Sequence, residues 1–327
     1  MRAVVHDRYG PPAEVLSLRD DVPVPVCPDD GALIRVVAAS VNPPDWAGVH
    51  GIPLIVRLSF GMRRPKRAVR GSDMAGVVEA VGKDVTSISV GDGVFGSGSG
   101  AFGEYGVAAE IDLAPKPANV TFEQAAAVPM SALTALQGLR DVARVQPGQR
   151  VLVNGAGGGI GTFAVQMAKG MGAEVTGVCG PSKCELVRSL GADHVIDYST
   201  EDYTAGDARY DVVLDNVLDH SLTDILRVVE PGGILIPNGG QFYKRVLAST
   251  GVILVKGPLL SMTRPQNVGS IILKHRREDM LELAAMLESG ALVPVIGATY
   301  PLAQTAQAID HWGEGHSSGK TVVVIDG

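Results

Sequence analysis

The chain has 327 residues, of which 46% are hydrophobic and 19% are charged, so it can form a globular core larger than that of one small domain. Its formal net charge is −7 and it contains no basic block, which argues against a nucleic-acid partner. No apolar run approaches the roughly 20 residues of a membrane span. We therefore expect no membrane span. The three scattered cysteines cannot form a disulfide framework, so we expect a cytoplasmic protein.

The first 120 residues are rich in glycine, proline and valine. They contain short apolar runs such as Leu33–Val37 and Gly76–Val78, separated by turn-forming residues, and this pattern is typical of a β-rich domain. Residues 51–70 differ, because apolar side chains are followed there by basic ones. We expect this segment to border the binding site of a hydrophobic small-molecule acceptor, although ordinary packing would explain the same apolar residues.

Residues 121–267 alternate strand-like and helix-like patterns. Helices such as Ser182–Leu190 and Ser221–Val229 are predicted between the strands. This alternation favours an α/β domain with a Rossmann doubly wound parallel sheet. The predicted strands are Val151–Asn154, Val175–Cys179, His194–Asp197, Val212–Asp215, Ile234–Pro237 and Val252–Val255.

A glycine-rich turn follows the first of these strands and precedes a helix. Glycines allow a tight turn and a close approach of the backbone to a pyrophosphate, and the helix N-terminus offers N–H groups and a positive dipole end. The strand–turn–helix context predicts a dinucleotide site, with a surface glycine loop as the alternative. The candidate cofactor-binding residues are Gly155, Gly158, Gly159, Ile160 and Gly161.

The end of the next strand indicates which nucleotide binds. An NAD enzyme usually has an acidic residue there, which bonds the ribose 2′-hydroxyl. This chain has Cys179 instead, interpreted as a small strand-end residue, and Ser182 and Lys183 follow closely. A hydroxyl and an ammonium would attract a 2′-phosphate. We therefore predict NADPH as the cofactor; the alternative is that Lys183 is only a solvated residue at the start of a helix.

The C-terminal region contains an amphipathic helix over Glu278–Ser289 and a final strand over Lys320–Ile325. We expect this strand to return to the first domain. The predicted β-rich domain then comprises residues 1–120 and 268–327, and it is interrupted in sequence by a dinucleotide-binding domain of residues 121–267.

Several motifs resemble, in the same order, those of the medium-chain dehydrogenase/reductase superfamily. They are Gly71–Gly82 (GSDMAGVVEAVG), Val90–Gly96 (VGDGVFG), Leu113–Pro117 (LAPKP), Ala125–Pro129 (AAAVP), Leu133–Ala135 (LTA) and Leu190–Tyr198 (LGADHVIDY). The resemblance covers essentially the whole chain. It implies that the β-rich part is a GroES-like catalytic domain beside the Rossmann domain.

Within that superfamily the chain is similar to the zinc-free quinone oxidoreductase branch. Zinc-dependent alcohol dehydrogenases carry a cysteine early in the chain and a His-Glu pair in the glycine signature, where this chain has Asn42–Asp45 and Ser72–Asp73. A catalytic zinc needs about three protein ligands. In addition, no cysteine lies between Cys27 and Cys179 to form a structural zinc lobe, so we predict no metal site.

The resemblance also implies roles for residues outside the glycine turn. It places Asn42 near the nicotinamide, where its amide would bond the cofactor or the substrate oxygen, but a turn before proline would equally explain this residue. Asp45 would orient Asn42 or a water molecule, unless it only caps a helix. The further implied cofactor contacts are Thr134 at the nicotinamide ribose, Tyr198 at the 2′-phosphate, Gly239 and Gly240 at the nicotinamide amide, and Lys320 near the cofactor. Packing or solvation would also explain Thr134, Tyr198 and Lys320.

Together these features predict a zinc-independent enzyme that transfers a hydride from NADPH to a quinone or an α,β-unsaturated carbonyl compound. Such acceptors are already activated, so they do not need a metal to polarise them. The alternatives are a non-catalytic NADPH-binding redox sensor or structural protein, and an NADP-dependent alcohol dehydrogenase. A homodimer is expected, because relatives often pair through the edge strand predicted at Val252–Val255.

Overall fold

A computed structural model describes residues 1–238, 264–315 and 317–325. The chain divides into two compact units. The first comprises Met1–Leu133 and Lys274–Gly327, and the second comprises Thr134–Leu273. The domain boundaries after residues 120 and 267 stay a prediction. Among the described residues, no helix has the length and apolar character that crossing a membrane requires.

Fifteen strands and ten α-helices are defined within the described ranges. The strands are β1 (Ala3–Val5), β2 (Ser17–Arg19), β3 (Gly31–Ser40), β4 (Asp73–Val81), β5 (Gly93–Ser97), β6 (Tyr105–Ala109), β7 (Leu113–Pro115), β8 (Arg150–Asn154), β9 (Glu174–Cys179), β10 (His194–Asp197), β11 (Tyr210–Asp215), β12 (Val229–Pro237), β13 (Asn267–Val268), β14 (Ile296–Pro301) and β15 (Lys320–Val324). The helices are α1 (Pro12–Val15), α2 (Pro43–His50), α3 (Arg57–Phe60), α4 (Phe122–Ala126), α5 (Pro129–Leu136), α6 (Gly159–Gly170), α7 (Cys184–Ser189), α8 (Leu222–Ile225), α9 (Arg277–Glu288) and α10 (Thr305–Gly313).

The first unit is built on a seven-stranded sheet in the order β14-β15-β3-β4-β5-β7, with β6 also pairing with β3. Strand β3 lies at its centre, and its buried side chains Ile34, Val36 and Ala38 alternate with more exposed ones, which is the two-residue period of a strand. Strand β15 pairs antiparallel with β3 and parallel with β14. The C-terminal strand therefore completes a sheet formed largely by the first 115 residues.

The register of this sheet brings distant parts of the sequence together. Ser40 at the end of β3 is opposite Val322 of β15 and opposite Asp73 of β4. The next backbone N–H, on Val41, donates to the Thr321 carbonyl at 2.9 Å. As a result, the start of α2, the start of β4 and the start of β15 meet at one end of the sheet.

The second unit confirms the predicted doubly wound fold. Its sheet is parallel in the order β10-β9-β8-β11-β12-β13, which is the Rossmann strand order. The first five predicted strands overlap the observed ones. The sixth described strand is Asn267–Val268, whereas the predicted strand Val252–Val255, and with it the predicted dimer edge, lies outside the described residues.

Two predicted helices of the second unit are shorter in the structure. The predicted helix Ser221–Val229 gives way to α8 and one tight helical turn over Leu226–Val228, because Val229 already belongs to β12. The predicted helix Ser182–Leu190 begins as a tight turn over Pro181–Lys183 and continues as α7.

Candidate functional site

The glycine-rich turn between β8 and α6 is fixed by hydrogen bonds to β9. Gly155 has a φ of +76°, a left-handed conformation that favours glycine. The backbone N–H groups of Gly155 and Ala156 donate to the Val178 carbonyl at 3.1 and 2.9 Å. Gly158 then forms the N-cap of α6. The turn is therefore held in place before the helix begins.

Gly161 allows the first turn of α6 to lie directly against this glycine turn. A Cβ atom at position 161 would be 2.1 Å from the Gly155 carbonyl oxygen and 2.7 Å from the Ala156 Cα atom. The N–H groups of Gly159, Ile160 and Gly161 belong to the first helical turn and have no intrahelical acceptor. Together with the helix dipole they form a site for an anion, and this cradle of backbone atoms fits the pyrophosphate of a dinucleotide.

The residues predicted at the 2′-phosphate surround the same turn. Cys179 ends β9 and is 3% exposed, and its carbonyl accepts the Tyr198 N–H at 3.1 Å. The Lys183 side chain lies over the glycine turn, with a carbon 2.7 Å from the position of a Cβ on Gly157. Burial lowers the pKa of Lys183. Ser182 and Tyr198 are exposed, so both are accessible to a bound group.

The structure adds a buried polar network at the carboxyl ends of β8 and β11. The Asn154 amide donates to Asp215 at 2.9 Å and to Asp219 at 3.1 Å. Asp215 also accepts the N–H groups of Val217 and Leu218, both at 2.9 Å, while its other oxygen has no hydrogen-bond partner among the described residues. Ligands of open α/β sheets bind at this edge. The only feature of the sequence that indicates this network is that a polar residue ends each of the apolar strands β8 and β11.

In the first unit, Asn42 and Lys320 bind each other in the interior. Asn42 is the N-cap of α2, and its side-chain oxygen accepts the Lys320 ammonium at 2.5 Å. The ammonium also donates to the Val41 carbonyl at 3.1 Å, and the Asn42 amide nitrogen donates to the Ser40 carbonyl at 3.3 Å. Asn42 is 1% and Lys320 is 3% exposed. The predicted contact of Lys320 with the cofactor stays a prediction.

Two buried carboxylic acids accompany this pair. Asp45 is the third residue of α2 and belongs to the capping box of this helix, in which it accepts the Asn42 backbone N–H at 2.9 Å. Asp73 accepts the Ser97 hydroxyl at 2.7 Å and the Met130 N–H at 3.0 Å. Asp73 is the first residue of β4, and in the sequence it is notable only as part of the glycine signature, not as a partner of Asn42 and Lys320.

Burial sets the protonation of these groups. It raises the pKa of Asp45 to about 7, against the attraction of Arg70, and it also raises the pKa of Asp73. It lowers the pKa of Lys320, against the attraction of Asp73 and Asp45. Asp45 therefore changes its charge near neutral pH, and Lys320 supplies the buried positive charge that the two acids share.

The structure gives less information on the remaining predicted cofactor contacts and on metal binding. Thr134 is 6% exposed on α5 and is the first residue of the second unit. Gly239 and Gly240 lie outside the described residues. No group of three or more His, Cys, Asp or Glu side chains that could hold a metal ion occurs in the described part of the chain.

The segment predicted to border an acceptor site exposes several apolar side chains. Leu54, Ile55, Leu58 and Met62 are each 63–68% exposed. They lie on and around α3, close in sequence to α2 and its N-cap. Large apolar residues clustered on a surface mark interaction sites more often than isolated ones do, so this segment is a candidate contact for an apolar molecule.

Comparison with known proteins identifies relatives that match nearly the full length of the chain. Residues 28–118 match the family described as "Alcohol dehydrogenase GroES-like domain", and residues 190–323 match the family described as "Zinc-binding dehydrogenase". A quinone oxidoreductase of Pongo abelii is 33% identical, over 99% of this chain and 97% of that protein. Among solved structures, a Pseudomonas syringae quinone oxidoreductase has a TM-score of 0.82 at 29% identity and covers 99% of both chains. A mycobacterial protein solved in complex with NADPH has a TM-score of 0.83 at 27% identity, over 99% of this chain and all of that one.

Proposed function

Since the chain belongs to the medium-chain dehydrogenase/reductase superfamily, in its zinc-free quinone oxidoreductase branch, we propose that it is an NADPH-dependent, zinc-independent reductase of quinones or α,β-unsaturated carbonyl compounds. Its fold is a pyridine-nucleotide-binding oxidoreductase fold. The observation that carries the choice of NADPH is the end of β9, where Cys179 replaces an acid and Lys183 lies over the glycine turn. A homodimer and a cytoplasmic location stay predictions.

The nucleotide is held by the second unit. The first turn of α6 binds the pyrophosphate through backbone N–H groups. The 2′-phosphate is bound by Ser182, Lys183 and Tyr198, of which Lys183 supplies the positive charge. A phosphate carries close to two negative charges near neutral pH, so a single ammonium in a half-buried position has a large effect on selectivity. When bound, NADPH supplies the hydride.

Asn42 is the proposed donor to the oxygen of the acceptor. Its side-chain oxygen faces the Lys320 ammonium, which fixes the orientation of the amide and leaves the NH₂ group as the donor side. That group donates to the Ser40 carbonyl at 3.3 Å and also interacts with the Asp73 carboxyl, whose pKa it lowers. An acceptor oxygen that gains negative charge competes with these bonds. A fixed amide placed at developing charge lowers a barrier without reorganisation.

The proposed acceptor class follows from the apolar side chains and the neutral amide donor of the site. The apolar side chains of Leu54, Ile55, Leu58 and Met62 are exposed, and they suit a hydrophobic acceptor. Quinones and enones delocalise charge onto their oxygen, so a neutral amide suffices as the donor. Asp45 titrates near neutral pH and orients Asn42 through its backbone N–H.

An assay of NADPH oxidation against quinones, enones, simple aldehydes and alcohols tests the proposal directly. Turnover with a quinone or an enone is the expected result. Tight NADPH binding without turnover of any acceptor would favour a redox sensor or a structural protein. Preferred reduction of simple aldehydes would favour an alcohol dehydrogenase.

Lys183→Ala should weaken NADPH binding by about 1–3 kcal/mol, the scale of a hydrogen bond to a charged group, and leave NADH binding nearly unchanged. Only NADPH carries the phosphate that this ammonium would bind. Calorimetric titration with both nucleotides is the measurement. Lys169→Ala is the matched control, because Lys169 pairs with Asp193 in an exposed position of the same unit. An equal loss for both nucleotides in Lys183→Ala would refute the phosphate site.

Protein purified without added metal should contain no stoichiometric zinc. The positions where zinc-dependent relatives carry ligands hold Asn42, Asp45, Ser72 and Asp73, and Asn42 is bonded to Lys320. Elemental analysis of the intact protein is the measurement, and incubation with a chelator should leave turnover unchanged. One tightly held zinc per chain would contradict zinc independence.

Asn42→Ala should lower the rate per folded molecule by about tenfold or more, a smaller loss than in enzymes that depend strongly on such a donor, because quinones and enones are intrinsically reactive. Its melting temperature should also fall, since Lys320 loses an acceptor. Ser40→Ala is the control, because the Ser40 hydroxyl is buried and has no hydrogen-bond partner among the described residues. That variant should keep both rate and stability. If Asn42→Ala melts lower but turns over normally per folded molecule, Asn42 has only a structural role.

A further inference from the structure

Two of the three cysteines of the chain lie side by side in the second unit. Cys179 is the last residue of β9 and Cys184 is the first residue of α7. Their sulfur atoms are 3.8 Å apart. The residues between them, 180–183, include Ser182 and Lys183, and we call this segment the phosphate loop.

The two thiols differ in accessibility. Cys179 is 3% exposed, whereas Cys184 is only partly buried. A dissolved oxidant therefore reaches Cys184 first. Burial raises the pKa of Cys179 to about 12, while the nearby Lys183 ammonium opposes this shift. Cys184 and Asp197 raise this pKa further, so Cys179 is the less reactive thiol and is suited to react second, as the resolving partner of Cys184.

The phosphate loop is packed against the glycine turn. A side-chain carbon of Lys183 lies 2.7 Å from the position of a Cβ on Gly157, and the Lys183 N–H donates to the Gly180 carbonyl at 2.9 Å. The Cys184 sulfur also contacts that carbonyl, at 3.6 Å. A disulfide needs its sulfur atoms about 2.05 Å apart. Closing the gap between Cys179 and Cys184 therefore moves one or both ends of the loop that carries Lys183.

We propose that Cys179 and Cys184 form a reversible disulfide on reaction with a hydroperoxide, and that this bond rearranges the phosphate loop and weakens nucleotide binding. The effect on binding rests on the proposed NADPH site, while the disulfide itself does not. Disulfides of proteins in reducing compartments are typically transient and redox-sensing, and an accessible thiol next to a second, resolving thiol is the arrangement such sensors share.

The chemistry is balanced with a peroxide as oxidant. The Cys184 thiolate attacks one oxygen of hydrogen peroxide, so an S–O bond forms, the O–O bond breaks, and the released hydroxide is protonated to water. Cys179 loses its proton and attacks the Cys184 sulfur, so the S–S bond forms, the S–O bond breaks, and a second water leaves. The two thiols are oxidised by two electrons and the peroxide is reduced to water. Exchange with a dithiol restores both thiols.

The first test detects the disulfide bond itself and needs no nucleotide. After peroxide treatment and denaturation, one reactive thiol should remain of the three, and peptide mapping should recover a crosslink between Cys179 and Cys184. Cys27→Ser should keep the crosslink, since the Cys27 sulfur lies in the first unit against backbone carbonyls. Cys184→Ser should abolish it. Oxidation of Cys184 to a sulfinic acid without a crosslink, or a crosslink between two chains, would overturn the proposal.

The second test measures NADPH binding before peroxide treatment, after it, and after reduction with dithiothreitol. The Kd should rise about tenfold on oxidation, as expected for the loss of one hydrogen bond to a charged group, and dithiothreitol should restore it. Cys184→Ser should bind NADPH equally well in all three states. An unchanged Kd in fully crosslinked protein would overturn the regulatory role. If the untreated protein does not bind NADPH, the proposed function fails, and the disulfide is still decided by the thiol count.

Discussion

Replacing Gly161 with alanine should weaken binding of NADPH and NADH alike, by about tenfold or more, and lower the melting temperature. The added Cβ would lie 2.1 Å from the Gly155 carbonyl oxygen and 2.7 and 2.8 Å from two Ala156 backbone atoms. These are backbone atoms of a turn tied to β9, so they cannot rotate away as a side chain would. The first turn of α6 has to move, and its N–H groups then no longer converge on the pyrophosphate.

The matched control is Gly170→Ala at the other end of the same helix. A Cβ at position 170 would meet no atom within 4 Å, and alanine is favoured over glycine in a helix by roughly 0.5–1 kcal/mol. This variant should bind both nucleotides normally and be at least as stable as the parent. Calorimetric titration and thermal unfolding are the measurements. Normal binding by Gly161→Ala would show that the turn relaxes and that the close approach is not needed.

The Gly161 and Lys183 variants together test the two proposed phosphate contacts of the nucleotide site separately. Under the proposed assignment, Gly161→Ala affects the pyrophosphate, which NADPH and NADH share, whereas Lys183→Ala affects the 2′-phosphate, which only NADPH carries. The ratio of the NADPH affinity to the NADH affinity should therefore stay constant in Gly161→Ala and fall in Lys183→Ala. A lower ratio of NADPH affinity to NADH affinity in Gly161→Ala, together with an unchanged ratio in Lys183→Ala, would mean that the two residues have been assigned to the wrong phosphate groups.

The nucleotide-binding part of the fold is predictable from the sequence because its signals are local. The β8 strand, the glycine turn and α6 occupy consecutive residues, and each follows from short-range preferences for strand, turn and helix. The polar network around Asn154 and Asp215 is less predictable, because residues 61 positions apart meet only when β8 and β11 pair in register. The sequence shows that a polar residue ends each strand but not that the two bond each other.

The cluster in the first unit could not be derived from the sequence. Asn42 and Lys320 are 278 positions apart, and they meet because β15 pairs antiparallel with β3 in one particular register. Shifting a strand by one residue reverses every side chain to the other face, so sequence spacing gives no information on such a contact. The resemblance to a family implied separate roles for Asn42 and Lys320 but did not indicate that they bind each other.

This cluster holds a protein cation, the Lys320 ammonium, in the interior of the first unit. Lys320 is bound by an amide oxygen and a backbone carbonyl, and its charge attracts Asp45 and Asp73. A buried charge is tolerated only with partners. Lys320 is therefore expected to stabilise the first unit by attracting the ionised forms of Asp73 and Asp45, which burial disfavours.

Lys320→Met should destabilise the first unit by about 3–5 kcal/mol at pH 8, the usual cost of removing one partner from a buried group of charges. Methionine has a similar length but no charge, so packing is largely kept. Urea unfolding followed by tryptophan fluorescence suits this question, because both tryptophans, Trp46 and Trp312, belong to the first unit. Lys83→Met is the control, since Lys83 is an exposed lysine paired with Asp29, and its loss should change stability by no more than about 0.5 kcal/mol.

The pH dependence of the Lys320→Met variant distinguishes lost charge from lost packing. Burial already raises the pKa of Asp45 to about 7 and raises that of Asp73, and removing the ammonium raises both further. In the unfolded chain these acids ionise near pH 4. Between the two pKa values the folded variant binds more protons than the unfolded chain, so its stability falls as pH rises. At pH 5.5 the folded protein holds Asp45 largely neutral and Asp73 closer to its neutral form than at pH 8, so the cost of the substitution should be smaller than at pH 8. An equal cost at both pH values would mean that Lys320 contributes packing and hydrogen bonds but not charge.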